Sequence, residues 1–190
     1  MGIDGGNGLR SPAVRVLAGA ALSVSLVLGG AFLAIDKLHS STDEILGHPV
    51  HPSTDEQSKA EVVQQAKHLV AIAGLREATA GYLLMSCKDR ESPPYQGAVY
   101  LNFTVPGDVR TDTYFDKIAT AMVARGWQEG LASNRYLFGK TLHQDGVTAI
   151  LYRDDDNPSL GIARLYGQCR NMTDHRNDTT AWIDVTDQIR

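Results

Sequence analysis

Apolar residues are arranged with different periods in different parts of the chain, and the first stretch has none. From Val16 to Ile35 the sequence runs VLAGAALSVSLVLGGAFLAI, twenty residues without a charge. As a helix rising about 1.5 Å per residue this spans roughly 30 Å, the thickness of a bilayer's hydrocarbon core. A buried soluble helix of that length would carry a polar stripe, and only Ser23 and Ser25 interrupt here. Arg10 and Arg15 precede the run, whereas Asp36 and Lys37 follow it and cancel. The positive-inside rule therefore puts residues 1–15 in the cytoplasm and everything from about 36 onward outside. A cleaved signal peptide, with Gly29 and Ala31 at the −3 and −1 positions, is the competing reading. The uninterrupted length favours an uncleaved anchor over 16–35, and either reading exports the rest.

Residues 36–52, with Ser40, Ser41, Gly47, Pro49 and Pro52, have the composition of a linker. Ser53 followed by Glu56 fits a capping box. Val62, Val63, Ala66, Leu69, Val70 and Ala73 then recur at helical spacing and predict a helix from about 54 to 80. Val99, Leu101, Phe103 and Val105 alternate with Ala98, Tyr100, Asn102 and Thr104, the period of a strand with one buried face.

A second helix is predicted from about 111 to 125, with Gly126 near its end. Tyr136–Leu142 and Val147–Arg153 read as a hairpin about Asp145-Gly146, because such turns need positive φ angles. Leu160–Gln168 reads as a further strand. Trp127–Glu129 and the patch Trp182, Ile183 and Val185 are shorter candidates. The order predicts one exported α+β domain over 53–190, an antiparallel sheet of four or five strands covered by two helices.

Composition narrows the function classes. The whole chain has 190 residues and a formal charge of −4, which argues against nucleic acid as a partner. Cys87 and Cys169 are the only cysteines and both fall in the exported part. An even pair in an oxidising compartment is most simply a disulfide. A redox pair or a nucleophilic cysteine would want C-x-x-C spacing or a histidine partner, and neither is visible. No cysteine lies near the end of the apolar run, so a lipoprotein-type acylation site is absent there.

Other chemistry is weakly signalled. Asp154, Asp155, Asp156 and Asn157 offer oxygen ligands, but Ser159 and Leu165 stand where a calcium loop needs Gly and Glu. His48 and His51 fall in the linker without a carboxylate partner at metal-site spacing. Asp112 and Asp116 lie a turn apart near a helix start, where acidic residues serve the macrodipole. No G-x-S-x-G, P-loop or dinucleotide fingerprint is present. No metal or cofactor is expected. Tyr100, Tyr136 and Tyr152 fall where they can share one sheet face, as a binding platform or as cross-strand pairs.

The stretch from Cys87 through Gly97-Ala98-Val99-Tyr100, the helix end Ala124-Arg125-Gly126-Trp127, and Cys169 together resemble the LppA-like lipoproteins of mycobacteria, among the small exported proteins of actinobacteria. That resemblance implies a cell-envelope location and a cysteine-bridged α+β domain, with no established chemistry. The expectation is a non-enzymatic, single-pass membrane protein whose outer domain binds an envelope protein. Small residues Gly19, Ala20, Ala21, Gly29 and Gly30 would let a neighbouring helix approach closely. The alternatives are an exported binder of a small molecule or lipid, or an envelope hydrolase without a familiar motif.

Overall fold

The helix start is displaced by one residue from the one expected. Thr54, not Ser53, is the N-cap of α1 (Asp55–Ala73). Its hydroxyl accepts the Gln57 N–H at 3.2 Å while the Gln57 side chain accepts the Thr54 N–H at 3.0 Å, a reciprocal capping box. Ser53 turns inward instead, its hydroxyl 3.0 Å from that of Ser58 and its N–H bonded to the Arg170 carbonyl. These features belong to a computed structural model that describes residues 51–88, 92–131, 136, 138–178 and 181–190. The span read at 16–35 and all but the last two residues of the linker read at 36–52 lie outside the described residues. Among those described, no helix is long and apolar enough to cross a membrane.

The first helix also ends earlier than its apolar spacing suggests. Gly74 takes the left-handed conformation, φ 59°, a position that glycine occupies without a Cβ penalty. Leu75 N–H closes back on the Val70 carbonyl, and the chain leaves as β1 (Arg76–Ser86). The expectation that helix continues to 80 is thus corrected: residues 76–86 are a strand. They pair antiparallel with β2 (Tyr95–Thr104), the strand read from its period of two.

After α2 (Thr111–Val123) come β3 (Gln128–Glu129), β4 (Lys140–Gln144), β5 (Val147–Arg153), β6 (Leu160–Tyr166) and β7 (Ile183–Asp184). The sheet order is β3-β4-β5-β6-β2-β1-β7, antiparallel throughout. That makes seven strands, where four or five were expected. The overlooked β1 and the two-residue edges β3 and β7 account for the difference. The β4–β5 hairpin turns on Asp145 and Gly146, φ 50° and 81°, as an Asp-Gly pair predicts.

Both helices pack on one face of this sheet. Val99, Leu101 and Phe103 of β2, Ala149 and Leu151 of β5, and Ala163 and Leu165 of β6 point toward them and are almost completely buried. Beneath α1, a Cβ on Gly97 would run into the Ser58 backbone carbonyl, so glycine sets the closeness of helix and sheet. Cys87, one residue past β1, is bonded to Cys169, which follows β6; their Cα atoms stand 6.1 Å apart. Among the described residues, the opposite face of the sheet carries no α-helix.

Candidate functional site

Strand register decides which side chains share that helix-free face. Tyr100 on β2 pairs with Arg164 on β6, and Arg164 pairs with Ile150 on β5. The next row sets Asn102, Ile162 and Tyr152 side by side, and Tyr166 completes the face beyond Arg164. Period-two alternation alone put Tyr100 and Tyr152 here. Tyr136 arrives differently from expectation, because β4 begins at Lys140 and Tyr136 belongs to the segment before it. Its ring lies flat on that of Tyr152, centroids 3.9 Å apart and planes 12° from parallel. The three tyrosines that the sequence singled out are therefore brought together.

What gathers them is a residue the sequence reading missed. The Arg164 guanidinium stands over the rings of Tyr100, Tyr152 and Tyr136, at 5.3, 5.6 and 6.0 Å from their centroids. It also donates to the Tyr136 hydroxyl at 3.4 Å. A positive charge over aromatic faces is held by their quadrupoles. Burial pushes the Tyr152 phenol well above its ordinary value of 10.0, an effect the Arg164 charge only partly offsets. Tyr152 therefore remains a neutral hydroxyl and supplies no countercharge. The missed signal was an arginine in the middle of an otherwise apolar strand, Leu160-Gly-Ile-Ala-Arg-Leu-Tyr166.

Trp182, the residue before β7, extends the cluster. Its indole lies 5.8 Å from the Tyr100 ring and is 46% exposed. Gly81 of β1 makes room for it, since a Cβ there would stand 3.0 Å from the Trp182 Cβ. Between Trp182 and Tyr100 is an open depression of about 380 Å³, floored by Thr79, Gly81 and Asn102 and edged by Asp184. The Asn102 Oδ1 atom is shielded from water there without a hydrogen-bond partner. Asp184 accepts the Thr186 N–H at 2.8 Å, which holds its carboxyl below the usual carboxylate range and keeps it ionised.

The other sequence candidates fall elsewhere. Asp112 pairs with Arg110 at 2.7 Å and Asp116 with Lys140 at 2.6 Å, tying α2 to its surroundings. Asp154 accepts the N–H groups of Asp156 and Asn157 and so builds its own turn. His143 lies 3.0 Å from the Thr148 hydroxyl. Among the described residues, no three His, Cys, Asp or Glu side chains are grouped to hold a metal ion. A second cluster went unseen in the sequence: His175, only 6% exposed, has Asp55 at 3.1 Å from Nε2 and Asp178 at 2.7 Å from Nδ1. Asn171 also donates to Asp55, at 2.7 Å. With both imidazole nitrogens facing carboxylates, this cluster clasps the start of α1 to the C-terminal segment.

Comparison with known proteins decides the family. The family model described as "Putative lipoprotein LppJ" matches residues 54–188, nearly the whole described domain. Proteins of that name from Mycobacterium tuberculosis and Mycobacterium bovis are 39% identical over 170 residues, covering 89% of this chain and 89% of each relative. The chain belongs to the LppJ family. Its resemblance to mycobacterial lipoproteins thus holds at the level of the group, and the LppA-like assignment gives way to LppJ. No solved structure matches the chain. Within this lipoprotein family the chain has two cysteines, and both are consumed by the Cys87–Cys169 bridge.

Proposed function

We propose that this LppJ family member is a membrane-anchored, extracytoplasmic docking protein. Residues 16–35 cross the membrane with the N-terminus in the cytoplasm, and the outer domain binds a cell-envelope protein through its helix-free sheet face. The family's lipoprotein name supports attachment to the envelope. With both cysteines in a disulfide, a protein helix takes the place of an acylated cysteine as the anchor.

The observation that carries the docking reading is the cluster of Tyr100, Tyr136, Tyr152 and Trp182 about Arg164. Tyrosine, tryptophan and arginine are the residues enriched at binding hot spots, because they combine large apolar area with polar edges. Trp182 and the adjoining depression keep that area open at the surface.

The test is a photoreactive residue at exposed Thr79, beside the depression, in the full-length chain expressed in intact cells. Irradiation should join it to an identifiable envelope protein, while the same probe at Gln64 on α1 should not. Trp182→Ala should lower the crosslinked yield about tenfold or more, as loss of an aromatic anchor does. Absence of any Thr79-specific product, or indifference to Trp182→Ala, would overturn the reading. A retained small molecule, displaced by Trp182→Ala and seen without a crosslinked protein, would favour the exported small-molecule or lipid binder. The 380 Å³ depression is the observation behind that second reading.

A further inference from the structure

We infer that Arg164 is the receptor for a single carboxylate on the partner, an acidic side chain or a chain terminus laid across the tyrosine face. This rests on the docking reading and names the chemistry of its contact. Several of the other arginines and lysines have an acid beside them, whereas Arg153 and Lys59 lie over the rings of Phe138 and Tyr82. Arg110 has Asp112, Arg170 has Glu61, Arg176 has Asp174, and Lys140 has both Asp116 and Glu129. Arg164 pairs with no carboxylate among the described residues, although it is part-buried. Its surroundings are tyrosine rings and hydroxyls, and its Nε is shielded from water without a partner.

A part-buried cation without an anion is an incomplete arrangement. The rings hold the guanidinium by its faces and Nε is shielded from water, so recognition falls to the terminal Nη1 and Nη2 groups, of which Nη1 also donates to the Tyr136 hydroxyl. Two parallel N–H groups match the two oxygens of a carboxylate, a charge-assisted pair stronger than a neutral hydrogen bond. The tyrosine hydroxyls beside it can donate to the same oxygens.

Charge favours one carboxylate over a polyanion. On the central strands β2, β5 and β6, Arg164 is the only cation on this face, since Arg153 points to the helix-covered side. Asp184, kept ionised across Tyr100, would repel a second negative group. A phosphate-bearing lipid or glycan brings more charge than one arginine balances. A peptide segment with one acid flanked by apolar side chains fits Arg164, Tyr100 and Trp182 together.

The experiment uses the full-length chain in detergent micelles, labelled for NMR at the arginine Nε–H and the tyrosine rings, and titrated separately with acetate and inorganic phosphate. Acetate should shift the Arg164 Nε–H and the Tyr136 and Tyr152 ring signals saturably. Arg164→Gln should weaken the tyrosine response about tenfold or more, and Arg164→Lys, which keeps the charge without the fork, should restore little of it. Dispersion of the remaining signals checks that each variant is folded. Absence of a saturable acetate response would overturn the proposal. Phosphate binding about tenfold tighter than acetate at the same signals would reassign the site to a phosphate-bearing ligand. If acetate fails while the Trp182-dependent crosslink at Thr79 persists, the carboxylate receptor falls and the docking face stands. If acetate binds but that crosslink is absent, the reverse holds.

Discussion

Glu61 of α1 lies under the segment that follows β6, where its carboxylate accepts the Gln168 N–H at 3.4 Å and faces Arg170 at 3.7 Å. Desolvation outweighs both contacts and raises its pKa above the ordinary 4.5. Above 4.5 and below that raised value, the folded state therefore keeps a proton that the unfolded chain has lost. The contribution to stability is present in full below 4.5 and is lost as pH rises through the folded value. Urea midpoints measured across this window should fall with rising pH in the parent chain, and Glu61→Gln should flatten that slope. An identical slope in the variant would mean that the carboxyl is not desolvated. The same scale shows why Arg164 and His175 went unread. One side chain's role depends on neighbours that its own position does not name, and the partners of His175 include Asp55, 120 residues away.

Elements were legible where their signal is local. β2 follows from its period-two alternation, β5 and β6 from short apolar runs bounded by turns, and the β4–β5 turn from Asp145-Gly146. β1 was hidden because Glu77, Ala78 and Ala80 suit a helix and continue the apolar run of α1. Gly74 was the stop signal, and pairing of residues 76–86 with β2 overrides their propensity. Packing of α1 on β2 is likewise invisible locally, although it depends on Gly97. Gly97→Ala should push α1 off the sheet and destabilise the domain by roughly 1–3 kcal/mol, the usual range for overpacking. Denaturant unfolding measures this; an unchanged midpoint would show that α1 does not sit as closely as described.

At the scale of the whole molecule, the disulfide joins positions 82 residues apart, linking the end of β1 to the chain after β6. Restricting so long a loop removes much of the unfolded chain's freedom, worth about 4 kcal/mol on the chain-entropy model. The double variant Cys87→Ala with Cys169→Ala should lose stability of that order in equilibrium unfolding, while the sheet keeps its circular dichroism at low denaturant. A loss below about 1 kcal/mol would place the bridge's value elsewhere than in stability.

The sequence by itself determined the α+β class, the buried and exposed faces of its clearest strands, and the availability of one cysteine pair. Such properties reside in periods of two or 3.6 residues and in turn chemistry, which act over a few bonds. Only the tertiary structure decided that Tyr100, Tyr136, Tyr152 and Trp182 converge on Arg164. Tyr100 and Tyr152 come from separate strands, and Tyr136 and Trp182 from two positions outside any strand. Their meeting depends on strand order and register, and both are set by long-range pairing across the sheet.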